Sequence, residues 1–206
     1  MLSVNQKQGY FYIAVTTVFF SLMEIVLKFI GGDLNPVQVT FSRFFFGGLV
    51  LLPFAFNSLR RLEKEQIRME AADLRYFAFL GLIGIVISMM LYQMATLHAN
   101  ASVVAVLFSS NPLFVLVLAY LILHEPIYMR NVIALLLDIV GIVFIIDPLH
   151  MDIEPLGVVL TLSATLIFAF YTVLGKRKCY KFGGVVVTCF GFLFGSVELI
   201  FLAAAG

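Results

Sequence analysis

The sequence predicts an all-α fold, a polytopic bundle of seven membrane-spanning helices joined by short connections. Three observations lead there. Hydrophobic residues make up 62% of the 206 residues and charged ones only 12%, where soluble domains carry about 25% charge. The 13 Lys and Arg and 12 Asp and Glu residues gather in a few short clusters, so most of the surface must face lipid instead of water. The apolar residues also come in continuous runs of a length that crosses a bilayer, since ~1.5 Å per residue over about 20 residues spans ~30 Å of hydrocarbon.

Taken in order, the runs are 9–30, 36–56, 74–97, 101–123, 128–146, 155–175 and 184–205. Turn chemistry separates them: Gly31-Gly32-Asp33 with Asn35-Pro36, His98-Ala99-Asn100, Glu125-Pro126, Asp147-Pro148 and Gly183-Gly184. Barrel strands would alternate in polarity and be half as long. The polar start, residues 1–8, leads into the first run without a small-residue cleavage site, so that run reads as a span and not a signal peptide.

Loop charge sets the expected orientation. With the N-terminus in the cytoplasm, the inner side receives Lys7, Arg60, Arg61, Lys64, Arg68, Arg75, Arg130, Lys176, Arg177, Lys178 and Lys181, while the outer connections receive no Lys or Arg. Tyr10, Tyr12, Tyr76, Tyr128 and Tyr180 fall at the same helix ends, where amphipathic rings favour the interface.

The chain also repeats. Shifted by 148 residues, 11 of the 45 positions in 9–53 match 157–201, among them Thr17/Thr165, Lys28/Lys176, Thr40/Thr188, Phe44/Phe192 and Gly47/Gly195. The shift maps the first span onto the sixth and the second onto the seventh. Five spans between copies is an odd number, so the second copy is inverted, as in many secondary transporters. The expected units are 1–150, with five spans, and 151–206, with two spans of an incomplete second copy.

On these features the chain resembles the drug/metabolite transporter superfamily, in its EamA-domain branch. The matching residues are Lys28, Arg43 in Pro36-Val-Gln-Val-Thr-Phe-Ser-Arg43, Tyr92, Ala95, Ala101-Ser102-Val-Val-Ala105, Ser110-Asn-Pro112, Glu125 and Gly141. Phe20 and Phe168 stand where the family usually has tryptophan, Ala134 replaces a customary glycine, and Glu24 and Asp138 are charges outside the family pattern. The resemblance implies a secondary transporter, often an exporter, of small metabolites, amino acids or drug-like solutes. It normally has ten spans in two units. A chain with seven is therefore expected to be marginally stable alone and to show no saturable transport without a missing second half; a homodimer partner is possible in principle, but the two extra spans would obstruct it. The alternative is a non-transporting membrane protein, either an assembly partner or an inert product of a shortened gene.

Residues within the spans carry the functional expectations, because a charge in hydrocarbon costs roughly 2.5–3.5 kcal/mol on insertion scales and so turns inward. Glu24 and Lys28, four apart, either neutralise each other or line a path. Arg43 pairs with Asp138 or Glu24, or else receives a carboxylate-bearing solute on its planar fork. Asp138 makes an interhelical hydrogen bond or couples transport to protons. Pro112 should kink the fourth span, with Asn111 and Ser110 meeting the freed carbonyls or a solute. Tyr92 packs or binds, Glu198 has no assigned role, and Gly191-Phe-Leu-Phe-Gly195 reads as a close helix contact. The candidate translocation residues are thus Glu24, Lys28, Arg43, Tyr92, Asn111, Pro112 and Asp138. His98, His124 and His150 lie in separate connections, Cys179 and Cys189 have no metal spacing, and no nucleophile stands in a catalytic motif. No enzyme, cofactor or metal is expected. With a net charge of +1 no nucleic acid partner is expected either. The partners are a small solute and the lipid bilayer, and the expected location is the plasma (inner) membrane.

Overall fold

The computed structural model describes residues 9, 11, 13–19, 22, 36–64, 66–146 and 154–205. The chain divides into two compact units, Met1–Val39 and Thr40–Gly206. In the first, the described residues are helical, and Phe11, Ile13, Phe19 and Leu22 are exposed. The expected first span, 9–30, lies largely outside the described residues.

The described remainder is helical and contains no strand. The helices are α1 Pro36–Lys64, α2 Ala71–Gly81, a π-helical turn Leu82–Ile87, α3 Ser88–His98, α4 Ala101–Ser109, α5 Asn111–Leu123, α6 Met129–Ile146, α7 Pro155–Phe182 and α8 Gly184–Ala205. Because the α2, π and α3 segments are continuous, five stretches are long and apolar enough to cross a bilayer: Val37–Lys64, Ala71–His98, Ser102–Leu123, Pro155–Phe182 and Gly184–Leu202. The 18 residues of α6 form a further apolar helix interrupted by Arg130, Asn131 and Asp138.

Helices run past the ends of the apolar runs. α1 continues through Arg60 and Arg61 to Lys64, and α7 through Lys176–Lys181 to Phe182. Once a helix is nucleated each further residue adds a backbone hydrogen bond, and basic residues suit its C-terminal dipole. α7 stops at Gly183, whose φ of 82° lies in a region glycine enters freely. α5 stops at His124 in the left-handed region, φ 54°.

α7 is the hub. It packs against α3, α5, α4, the π-turn and α8, while α8 packs on α2 and the π-turn, and α6 leans on α4. Two features bring these helices close. Gly81 sits between Gly191 and Gly195, so near that an added Cβ would lie 2.5 Å from the Gly195 nitrogen and 2.9 Å from the Gly191 carbonyl. This bears out the small-residue contact expected for Gly191 and Gly195. Gly84, within the π-turn, receives the ring of Tyr171, and Ser88 Oγ donates to the Ala164 carbonyl at 2.9 Å. Nothing in the run 74–97 predicts the π-turn.

The apolar core gathers Phe77, Leu80, Phe182, Val186 and Cys189 around Ala55. Outside it, Phe46, Val50, Phe54, Leu136, Leu137, Phe144, Phe201 and other large apolar side chains are exposed. In water such a surface would aggregate; in a bilayer it is the ordinary outer face.

Candidate functional site

The fourth apolar run is not one helix. α4 ends at Ser109 and α5 begins at Asn111, with Ser110 at φ −69° and ψ 0° between them. Pro112 explains the position. It has no N–H to offer, and its ring clashes with the preceding turn, so the strain is released just upstream. The carbonyl that Pro112 cannot serve is that of Phe108; the hydroxyls bond the turn before it, Ser109 Oγ donating to Val106 O and Ser110 Oγ to Leu107 O, both at 2.6 Å. The expected kink is therefore a break.

Beside the break lies a cleft of about 310 Å³, lined by residues of α5, α6 and α7 that include Pro112, Ala134, Leu135, Asn131 and Thr172. Glu125 and Lys176 line it as well. Lys176 Nζ stands 2.6 Å from Glu125 Oε2, and the Tyr180 hydroxyl donates to Glu125 Oε1 at 3.3 Å. A neighbouring hollow of about 380 Å³ at the same end includes Arg130, whose guanidinium lies 5.2 Å over the Tyr128 ring.

On α6 the less exposed positions are Asn131, Leu135, Asp138, Gly141 and Ile142, a helical stripe turned toward α4. Asp138 Oδ2 and Asn111 Oδ1 are both buried and without a hydrogen-bond partner, as is Glu198 Oε2 on α8. The expected Arg43–Asp138 pairing is thus not made at Oδ2.

Of the expected path residues, Pro112 lines the cleft. The Tyr92 ring meets Phe108 edge-on at 4.9 Å, and the row continues through Phe168 at 5.4 Å to Tyr171 at 5.4 Å. Arg43 is on α1, its guanidinium 5.4 Å over the Phe44 ring, and Phe44 meets Phe192 edge-on at 4.9 Å. Glu24 and Lys28 lie outside the described residues. Both cysteines are free, and no cluster of metal-ligating side chains occurs among the described residues.

Sequence reasoning missed the ion pairs at the basic end of the bundle. The Asp73 side chain is only 4% exposed and takes Lys178 at 2.5 Å and Lys181 at 3.1 Å. It also accepts the Glu70 backbone N–H at 3.2 Å. Together with Glu125–Lys176, these contacts fasten the end of α7 to α2 and to the end of α5. The available signal was Asp73 at the edge of the third apolar run, on the same side as the basic cluster 176–181.

A helical bundle with spans of bilayer length and an exposed apolar surface is a multi-pass integral membrane protein. The chain matches the EamA-like transporter family over residues 7–147, and it belongs to that family. It is 31% identical over 204 residues to a transporter of Clostridium kluyveri, covering 95% of this chain and 65% of that one. A transporter of Archaeoglobus fulgidus is 26% identical over 187 residues, covering 91% and 64%. An S-adenosylmethionine uptake transporter of Rickettsia prowazekii is 27% identical over 173 residues, covering 84% and 56%. The chain thus spans just under two thirds of the length of the first two relatives. No solved structure matches it.

Proposed function

We propose that this chain is the working part of a secondary carrier that moves a small organic solute across the plasma membrane by alternating access. The observation that carries the reading is the interrupted fourth span beside a cleft. Discontinuous helices within a bundle expose backbone and polar side chains at membrane depth, where carriers hold their solutes. On this reading the N-terminus is cytoplasmic, seven spans fall into units 1–150 and 151–206, and the basic end bearing Glu125 and Lys176 faces the cytoplasm. The path is formed by Arg43, Tyr92, Asn111, Pro112 and Asp138, with Glu24 and Lys28 toward its outer end.

The inverted repeat has one further support. Phe44 and Phe192 occupy equivalent positions under the 148-residue shift, and their rings touch at 4.9 Å. Residues beside a two-fold axis meet their own counterparts. The solute class follows from the family: metabolites, amino acids or drug-like molecules. The name of the Rickettsia relative makes S-adenosylmethionine a first solute to try.

The test is counterflow in proteoliposomes with radiolabelled S-adenosylmethionine and a panel of amino acids, run beside the Clostridium kluyveri relative. Saturable exchange, competed by unlabelled solute, is expected when the chain carries a full second unit. A well-dispersed, correctly inserted chain that exchanges none of the solutes its relative exchanges would favour a non-transporting membrane protein. Loading the solute on either side of the vesicle tests whether the direction is export, as the family resemblance implies, or uptake.

A further inference from the structure

At the basic end of the bundle the charges are unevenly matched. Lys178 and Lys181 are taken by Asp73. Glu125 accepts from Lys176 at 2.6 Å and from the Tyr180 hydroxyl at 3.3 Å, so both of its oxygens are engaged. Arg130 is different. Among the described residues no carboxylate pairs with it, and its guanidinium lies 5.2 Å over the Tyr128 ring. Arg130, Lys176 and Glu125 line one hollow of about 380 Å³. Two cations against one anion leave that hollow positive, and it is rich in donors. A guanidinium offers five N–H groups and an ammonium three, of which Lys176 gives one to Glu125.

The hollow lies at headgroup depth. The span Ser102–Leu123 ends two residues before Glu125, and Arg130 is the second residue of the helix Met129–Ile146. Tyr128 and Tyr180 also line the hollow and are exposed, as rings at the membrane interface are. From Arg130 the same face of α6 runs on through Ile133, Leu137 and Phe144, at helical spacing and all exposed. Arg130 therefore stands at the polar end of an apolar strip that opens to the bilayer. Leu135, which lines the cleft beside the fourth span, lies on another face of the helix.

We infer that this hollow binds the phosphate of an anionic phospholipid, with the acyl chains lying along Ile133, Leu137 and Phe144. Arg130 takes two phosphate oxygens on its planar fork, which matches them in a way a point charge does not. Lys176 adds a second cation through the N–H groups that Glu125 leaves open. A headgroup with net negative charge fits the positive hollow, whereas a zwitterionic one would bring its own cation against Arg130. The bilayer holds such lipids at the depth of the hollow, so a lipid and not a dissolved phosphate is the occupant. Basic hollows between spans on the cytoplasmic side, where the proposed topology puts this one, suit anionic headgroups. The binding does not depend on whether the chain moves a solute.

The test is native mass spectrometry of the purified full chain in detergent, offered equimolar phosphatidylglycerol and phosphatidylcholine with the same acyl chains. The first lipid retained should be phosphatidylglycerol, preferred by about tenfold as two basic groups at headgroup level imply. Arg130→Gln should lose most of that preference and Lys176→Gln part of it. Arg61→Gln, at the same end of the bundle but outside the hollow, should keep it. Excess glycerol 3-phosphate should leave the lipid in place. If Lys176→Gln fails to fold because Glu125 loses its partner, Arg130→Gln carries the comparison, since Arg130 is exposed and supports no other residue's charge. Equal retention of the two lipids, or the same loss in Arg61→Gln as in Arg130→Gln, would overturn the inference. Displacement by glycerol 3-phosphate would overturn it too, and would mark a site for soluble phosphates.

Discussion

Adding one methyl group at Gly81 tests how tightly the bundle is built. The Cβ of Gly81→Ala would lie 2.5 Å from the Gly195 nitrogen and 2.9 Å from the Gly191 carbonyl, both backbone atoms that cannot rotate away. To reach an ordinary 3.4 Å contact, α2 and α8 must separate by roughly 0.9 Å. A gap of that size forfeits a quarter to a half of each dispersion contact, ~0.1–0.2 kcal/mol apiece when intact. The seam also carries Phe77, Leu80, Phe190 and Phe194. With some 40 atom pairs across it, on the order of one buried leucine's worth, the loss is about 2 kcal/mol. The gain in helix propensity of alanine over glycine is about 1 kcal/mol at most. Gly175→Ala is the matched control, because its Cβ would meet Val187 at 3.9 Å and Leu80 at 4.0 Å, ordinary contacts. Size exclusion after heating should therefore show Gly81→Ala melting below wild type and Gly175→Ala at or above it. A difference of roughly 2–3 kcal/mol corresponds to about 4–12 °C for a chain of this size. If both variants melt at the same temperature, or Gly81→Ala is the more stable, the helices are not in contact at this glycine seam.

Three further expectations follow from named contacts. Asp73→Ala should cost about 2 kcal/mol of thermal stability, since it removes the cap on the Glu70 N–H and a mostly buried ion pair; Lys181→Ala, whose side chain is 42% exposed, should cost under about 1 kcal/mol. Equal losses would show that Asp73 is not the anchor. Cys179, flanked by Lys178 and Lys181, should react with a membrane-impermeant maleimide only after cells are permeabilised, in a Cys189→Ser background; reaction in intact cells would invert the proposed topology. Arg43→Glu should impair accumulation or counterflow far more than Arg61→Glu, because a charge within a span is costly to leave uncompensated. An Arg43→Glu chain that accumulates and exchanges solute normally would make Arg43 peripheral.

The apolar runs determined the helices by themselves, and the physical reason is the solvent. In hydrocarbon every backbone N–H and C=O must be satisfied within the chain, so a continuous apolar stretch of span length has essentially one regular conformation open to it. Gly183 could be recognised as a helix end, and Gly191 with Gly195 as a contact face, from residue type and spacing alone. The disturbance around Pro112 was legible too, because a missing N–H is a property of one residue. The exact break at Ser110 was not, since it depends on how the turn before Pro112 closes, with the Ser110 N–H donating to Leu107 O at 3.1 Å.

Tertiary structure alone decided what the helices bring together. Asp73 meets Lys178 and Lys181, 105 and 108 residues away, and Glu125 meets Lys176, 51 residues away. No local period encodes such pairs; they depend on the depth and rotation at which α7 docks against α2 and α5. Asp138 was marked by its position as a charge in a span, and only the packing of the bundle buries its Oδ2. The π-turn at Leu82–Ile87 is a product of docking as well, with Gly84 under the Tyr171 ring. Bilayer physics thus wrote the secondary structure into the sequence one segment at a time, whereas the polar contacts between segments exist only once side-chain packing has fixed every helix against its neighbours.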